Sequence, residues 1–388
     1  MSEQYRLYAY DINTNTRIGE IPFFGLTYEK RLNDAGPISF SVNLLDPKSA
    51  LMISPVMGYN GSPFKAYVER NGVLDYGGIV WTTDYTHSTG VIQFGGKDIS
   101  SYFDERTITA DYSAQTYPLN GAGIQPNNLV MKAYMDAQNT TLGGPGASIG
   151  LQVVLGGSSA SANAFPPVYP SYSLSQYTMV SQIAQDMASI AAPVAGSVDT
   201  VYSCQYVNNV PQDVFTVFSP RAGRVGAASG LTVELTNVVD FTWPTDATLS
   251  GNYATVTGAS TGTTTPSATV QAPNVPVGGL GQTPRLDKVV SFQNLQTQSL
   301  VASMATNIAQ QFGNAVATPT ITVSTLANNP SYGSWAIGDD IRVRCSPGVY
   351  ARFPNGLDQY WRIVSAATTV ADQGVSTVVF TLNTPPVY

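Results

Sequence analysis

The chain has 388 residues, of which 18 are Lys or Arg and 25 are Asp or Glu. Charged residues make up 11%, against roughly 25% in an ordinary soluble protein. This deficit and a net charge of −7 exclude a basic nucleic-acid arm, an acidic solvating tail and a salt-bridged coiled coil. The apolar fraction is an ordinary 43%, so neutral polar residues and Tyr replace the missing charge. Such a surface suits strands, turns and protein contacts. Gly (35) and Pro (25) favour a turn-rich β architecture. At roughly 100–200 residues per domain, the length predicts several domains. Residues 1–110 carry 9 basic and 12 acidic groups, residues 111–284 carry 3 and 8, and residues 285–388 carry 6 and 5. The sparsely charged middle is expected to be subunit interface more than solvated surface.

The first hundred residues read as strands. Tyr5-Arg-Leu-Tyr-Ala-Tyr10 and Ile38-Ser-Phe-Ser-Val-Asn-Leu44 alternate with period two, as half-buried strands do. Phe64–Arg70, Asn71-Gly72 and Val73–Tyr76 form a hairpin, because Asn-Gly supplies the positive φ of a type I′ turn. Gly77-Gly78 inside the returning strand predicts a bulge or a close backbone approach. Ile79–Tyr85 and Val91–Phe94 extend the sheet, and Ser100–Arg106 is a short helical turn.

Two helices follow. Asn127 or Asn128 can cap one through Leu129, Met131, Tyr134 and Met135. The box Ser173-Leu-Ser-Gln176 opens another, with Val180, Ile183, Ala184, Met187 and Ala191 on one stripe. Residues 143–170 read as Gly- and Ser-rich loops around one short strand. Strands return at Val201–Val207, Val214–Phe218, Leu231–Leu235 and Val238–Phe241. Residues 255–284, rich in Thr, Gly and Pro, read as a linker or a long exposed loop. A strand at Leu286–Phe292 precedes a helix over 295–312, with Val301, Met304, Ala305, Ile308 and Phe312 on one face and Gly313 as its C′ residue. The last strands are Thr320–Ser324, Ile341–Cys345 after a Gly338-Asp339 turn, Trp361–Val370, and Val375–Leu382 after an Asp372-Gln-Gly374 turn.

Catalytic patterns are weak. Gly258-Ala-Ser260-Thr-Gly262 has the spacing of a nucleophile elbow, but Thr263-Thr-Thr-Pro266 follows instead of a helix, and no His lies downstream. His87, the sole histidine, precedes a Ser-Thr-Gly turn, so a His-based metal site is not expected. Asp339-Asp340 and Asp104-Glu105 are adjacent carboxylates, and neighbours on a strand point to opposite faces. Gly90 to Gly95 has phosphate-loop spacing, but Gly96 stands where Lys is needed. Asn60-Gly-Ser62 and Asn139-Thr-Thr141 are glycosylation sequons without a secretory leader. Cys204 and Cys345 match no ligand spacing and read as free buried thiols. No apolar run approaches the roughly 18 residues of a membrane span. The 22 Tyr residues fit alternating strand positions and subunit contacts. No catalytic, cofactor-binding or metal-binding residue is therefore assigned, and no cofactor is expected.

The order of elements resembles a known family. Tyr5–Asp11, the Leu32–Gly36 turn into Ser39–Leu44, Val68-Glu-Arg-Asn-Gly72 and Gly77-Gly-Ile-Val-Trp81 resemble the start of a minor tail protein of long-tailed actinobacterial phages. Gly96-Lys-Asp-Ile-Ser-Ser-Tyr-Phe103 with Arg106, the Leu174–Ile190 helix, Asn252-Tyr-Ala-Thr-Val-Thr-Gly258, Gly338-Asp-Asp-Ile-Arg-Val-Arg344 and Trp361-Arg-Ile-Val364 continue the likeness. The chain is similar to the tail, or baseplate, hub of tailed phages over nearly its whole length.

The resemblance implies a mainly β fold with a few helices, a β-rich α+β chain. Two tube-like β-barrel modules would flank an inserted α/β region. The expected parts are an N-terminal barrel module at 1–110, a helix-containing insertion at 111–235 whose strands complete that barrel, and a second barrel module at 236–388. It implies a non-enzymatic homotrimer made in the host cytoplasm and built into the tail tip. Its ring would adapt the sixfold tail to a threefold tip. The distal tail ring, the tape-measure protein and downstream tip or fibre proteins are the expected partners, and DNA would pass without specific binding. A distal tail protein or receptor-binding tip protein is the alternative, and a cell-wall hydrolase built on Ser260 is a remote third. The chain ends just after the last hub strand, which reads as a minimal hub.

Overall fold

The computed structural model describes residues 3–57, 62–112, 126–156, 172–191, 198–219, 221–246, 248, 250–260, 264–272, 284–292, 295, 297–313, 316–328, 330–372 and 375–383. The fold is mainly β with a few helices, a β-rich α+β chain.

The N-terminal strands are β1 (Tyr5–Tyr10), β2 (Arg17–Glu20), β3 (Phe24–Arg31) and β4 (Pro37–Asn43). After helix α1 (Pro47–Met57) come β5 (Phe64–Arg70), β6 (Val73–Thr86) and β7 (Val91–Asp98). They lie side by side in the order β3-β4-β7-β6-β5-β1-β2, all antiparallel. Alternation in β4 turns Ile38, Phe40 and Val42 into a core shared with Leu7, Leu26, Phe64 and Phe94. The expected hairpin turn is present, with Asn71 at φ 51° and Gly72 at φ 83°. The Gly77-Gly78 pair marks a close approach: a Cβ on Gly77 would lie 2.3 Å from the Tyr202 hydroxyl. A bulge at Trp81 bends the 14-residue β6. Helix α1 is an element that the sequence pattern did not predict. Its signal is Asp46-Pro47: the Asp46 carboxylate accepts the Ser49 N–H at 3.0 Å, and Pro opens the first turn.

After a 3₁₀ turn at Ile99–Asp104, the middle of the chain contains α2 (Pro126–Gln138), α3 (Thr140–Gly143), β8 (Leu151–Gly156), a 3₁₀ turn at Leu174–Gln176, and α4 (Val180–Ala191). The strands β9 (Asp199–Val207) and β10 (Val210–Phe218) follow. A separate sheet, β8-β10-β9, forms here, with β8 parallel to β10. Helices α2 and α4 cover it through Val130, Tyr134, Ile183 and Met187, and the Tyr134 ring stacks on Phe215 at 4.4 Å. Ile79, Ile99 and Phe103 share this core, so it is continuous with β6.

Three elements differ from their sequence expectation. Helix α2 opens at Pro126, one residue before Asn127, because Pro suits the first helical position. The Ser173/Gln176 capping box is real, but it opens the 3₁₀ turn; Tyr177 then turns left-handed, and α4 begins only at Val180. The strand after β9 starts at Val210, not Val214, across an Asn208-Asn209 turn with φ 54° and 62°.

The C-terminal part contains β11 (Thr232–Glu234), β12 (Asp240–Thr242), β13 (Thr245–Asp246), β14 (Tyr253–Thr257), β15 (Ser267–Gln271), β16 (Asp287–Ser291), α5 (Gln298–Phe312), β17 (Val316–Ala317), β18 (Thr320–Ser324), β19 (Asp340–Cys345), β20 (Leu357–Thr369) and β21 (Thr377–Asn383). Strand β20 pairs with β19, β21 and β3, and so joins the first and last parts of the chain in one 13-stranded sheet. A bulge between Ile363 and Ser365 bends it.

The stretch 255–284 is not simply a loop. Tyr253–Thr257 pairs with both Ser267–Gln271 and Asp287–Ser291 in a sheet ordered β15-β14-β16. Its Val256 and Ala254 pack on Val301, Met304 and Ala305 of α5. Thr-rich composition misled because Thr is also a good strand residue. Gly313 ends α5 at φ −61°, a right-handed value, so it does not act as a left-handed cap. Asn60, residues 157–171, Thr261–Thr263, 273–283 and Gln373–Gly374 fall outside the described residues.

Candidate functional site

The residues with catalytic spacing take structural places. Ser260 is exposed beyond β14, and the chain returns to β15 rather than entering a helix. Gly258 is needed for packing, since a Cβ there would lie 2.2 Å from the Leu295 carbonyl oxygen. His87 sits on the exposed β6–β7 tip, 3.5 Å from the Tyr85 hydroxyl. Asp104 faces Lys97 at 3.6 Å, while Glu105 is exposed. Gly96 lets two strands meet, with Ile79 O 2.1 Å from where its Cβ would be, and Gly90 makes a turn at φ 64°. Asn139 caps α3 by accepting the Thr141 N–H at 2.9 Å. Cys204 and Cys345 are free thiols, and burial pushes the Cys204 thiol up from its ordinary range. Among the described residues no group of three or more His, Cys, Asp or Glu could hold a metal ion. No described helix is long and apolar enough to cross a membrane.

Asp339 and Asp340 diverge, as strand geometry requires. Asp340 meets Arg221 at 2.8 Å, and Asp339 meets Arg224. They belong to a cluster in which Arg362 pairs with Asp199 and Asn33 donates to Asp199 at 3.1 Å. This cluster ties β9, β19, β20, the β3–β4 turn and the segment 221–224 together. Isolated charges could not be buried there, because desolvation costs several kcal/mol per ion.

A second network lies between β5 and β10. Lys65 Nζ is 2.9 Å from Asp213 Oδ2 and donates to the Ile149 carbonyl at 2.8 Å, with both charged side chains 1% exposed. The Tyr67 and Tyr202 hydroxyls donate to the same carboxylate at 2.7 and 2.8 Å. Burial and the Asp213 charge push both phenols well above their ordinary range. In a third network Lys30 lies 2.6 Å from Asp75, which also accepts the Tyr28 and Tyr332 hydroxyls. Burial alone would raise the Asp75 carboxyl, but Lys30 and the Tyr28 and Tyr332 hydroxyls together outweigh it and hold it below its ordinary value.

Asp98 differs from these. It is buried and accepts the Gly36 N–H at 2.8 Å and the Ser100 N–H at 2.9 Å, with no cation in the set. Burial outweighs those bonds and pushes its carboxyl up to about 7. The neighbouring pocket, lined by Asn33, Ser100, Tyr134 and Tyr202, has a volume of about 20 Å³, room for one water.

The sequence alone does not reveal these networks, because most of their partners lie tens to hundreds of residues apart, from 45 between Lys30 and Asp75 to 163 between Asp199 and Arg362. Their consequence for the exterior is direct. Asp136, Asp186, Asp199, Asp213 and Arg221 are buried, and they are five of the 11 charged residues in 111–284. The outside of that segment is poorer in charge than its composition. Large apolar side chains stand exposed on it, among them Tyr177, Val239 and Met135. An open groove of about 370 Å³, lined by Tyr5, Phe23, Phe24 and Val370 with Glu3 and Asp372, lies on the large sheet. Interfaces between subunits have this character: aromatic, apolar and depleted in charge.

The chain matches no protein-family model and no curated protein. Its fold matches solved structures along its length. The 43 kDa tail protein of prophage MuSo2 from Shewanella oneidensis superposes with a TM-score of 0.59, at 12% identity, over 99% of each chain. A tail protein from Neisseria meningitidis MC58 gives 0.54 at 12% identity, over 98% of this chain and 97% of that one. Prophage tail protein gp18 from Listeria monocytogenes gives 0.52 at 11% identity, over 98% and 95%. With so little sequence identity, what is shared is the fold: this chain is folded throughout like these tail proteins.

Proposed function

We propose that the chain is a structural virion protein, the tail or baseplate hub of a long-tailed actinobacterial phage. Three copies form a ring at the tail tip, adapt the sixfold tail to a threefold tip and surround the DNA channel. The observation that carries this reading is the likeness in fold to the 43 kDa tail protein, which spans 99% of both chains. Residues 1–110 and 236–388 serve as tube-like modules, with 111–235 as the insertion that meets neighbours. The joining of the first and last parts through β3 and β20 supports a subunit that moves as one ring segment. A net charge of −7 suits a lumen past which DNA slides without being gripped. The distal tail ring, the tape-measure protein and the tip or fibre proteins are its neighbours, and it carries no catalysis of its own.

The test is the symmetry of the assembled particle. Mass photometry of the purified protein and cryo-electron microscopy of the virion should give three copies in one ring at the tail tip. A stable monomer absent from virions overturns the reading. Six copies would instead identify a distal tail protein.

A further inference from the structure

The chain has four Asn-Gly steps, of which Asn71-Gly72 and Asn355-Gly356 lie among the described residues. Glycine has no Cβ, so its nitrogen is the least hindered nucleophile that can follow an asparagine side chain. Neither glycine is dispensable. Gly72 holds φ 83° at the β5–β6 tip. Gly356, before β20, holds φ 81°, and a Cβ on it would lie 2.9 Å from the Cys345 carbonyl oxygen.

Both asparagines are exposed, but the fold holds them differently. Asn71 is fastened twice to the start of the chain. Its Oδ1 accepts the Gln4 N–H at 2.9 Å, and its own N–H donates to the Gln4 carbonyl at 2.9 Å. The adjoining Arg70 pairs with Val73 across the hairpin and with Tyr5 of β1 on its other side. Asn355 lies in the centre of a single β-turn, closed by the Gly356 N–H donating to the Phe353 carbonyl at 2.9 Å. A longer bond, 3.2 Å, ties the preceding Pro354 carbonyl to the Gly348 N–H. The Asn355 side chain itself bonds to no described residue.

We propose that Asn355 is a site of spontaneous self-modification, at which the Gly356 nitrogen displaces ammonia from the side-chain amide, and that the fold protects Asn71 from the same reaction. The bond from Gly356 N to Asn355 Cγ forms and the Cγ–Nδ2 bond breaks. The Gly356 amide proton leaves with Nδ2 as ammonia, and the product is a succinimide. Water then opens this ring. Opening at Cγ leaves aspartate, and opening at the main-chain carbonyl leaves isoaspartate, whose main chain is one carbon longer. Either product places a new carboxylate three residues before Asp358, which already takes Arg342 at 2.6 Å. The extra carbon of isoaspartate enters a turn that has no room for a Cβ on Gly356.

The experiment uses the full chain, purified and kept for days at mildly alkaline pH. Trypsin places each Asn-Gly step on its own peptide, so mass spectrometry counts the four separately. Asn355 should convert at least about tenfold faster than Asn71, because the two Gln4 bonds and the hairpin pairing must open before Gly72 can attack. In denaturant both residues lose their surroundings, and the two rates should agree within about twofold. Equal rates in the folded chain, an Asn355 that stays unmodified there, or a rate ratio that persists in denaturant each overturns the proposal.

Discussion

Arg362 of β20 and Asp199 of β9 form a buried ion pair across the boundary between the large sheet and the helical region. Asp199 also accepts the Ala222 N–H at 2.8 Å, while Arg362 donates to the Ala222 carbonyl at 3.0 Å. One carboxylate thus holds the β3–β4 turn, the segment at Ala222 and the longest C-terminal strand in register. Asp199→Ala would leave Arg362 charged and buried without its partner. The expected loss is about 3–5 kcal/mol in urea unfolding, and a loss below about 1 kcal/mol would show that water or a neighbour replaces the pair.

The Lys65–Asp213 pair should behave in the same way when one partner is removed, and differently when both are. Asp213→Asn leaves a buried ammonium, at a cost of about 3–5 kcal/mol. A double variant, Lys65→Met with Asp213→Leu, should recover most of that. Unfolding midpoints of the three proteins decide it; equal losses in single and double variants would mean that the tyrosine hydroxyls, not the ion pair, dominate.

Asp98 makes stability depend on pH. Its carboxyl sits at about 7 in the fold, above the roughly 3.9 of an unfolded chain, so the folded state binds the proton more tightly. The stabilisation is fully present below about pH 4 and is lost as the pH rises toward 7. Asp98→Asn cannot ionise, but it keeps only one acceptor oxygen, whereas the Gly36 and Ser100 N–H groups bind different oxygens of Asp98, so one of them loses its acceptor at every pH. The difference in stability between variant and parent should therefore shift in the variant's favour as the pH rises from 5 to 8, because only the parent ionises. A gap that does not change between those values would place the Asp98 charge elsewhere.

Gly36 leaves no space for a side chain: its Cβ would lie 1.7 Å from the Glu29 carbonyl oxygen. Gly36→Ala must therefore push the β3–β4 turn away from Asp98 and Tyr76, whose hydroxyl donates to the Gly36 carbonyl at 2.5 Å. A destabilisation of about 3 kcal/mol is expected. A melting temperature equal to that of the parent would contradict it.

Ser260→Ala should change stability by no more than about 0.5 kcal/mol, as for an exposed position. Neither the parent nor the variant should clear host peptidoglycan in a zymogram. Clearing by the parent that the variant lacks would revive the elbow reading.

Local chemistry made much of the fold legible in the sequence. Period-two alternation located β1 and β4, and Asn71-Gly72 set the hairpin of β5 and β6, because such signals depend only on neighbouring residues. The misses came where a local signal had two outcomes. The Ser173/Gln176 box satisfies a 3₁₀ turn as well as a helix, and Thr-rich segments serve strands as well as loops. Only the tertiary structure decided that β3 pairs with β20, that Asp339 and Asp340 face separate arginines, and that Asp98 is buried without a cation. Those outcomes depend on residues tens to hundreds of positions apart meeting in a medium where an unpaired charge is costly, and no short window of sequence shows that they meet.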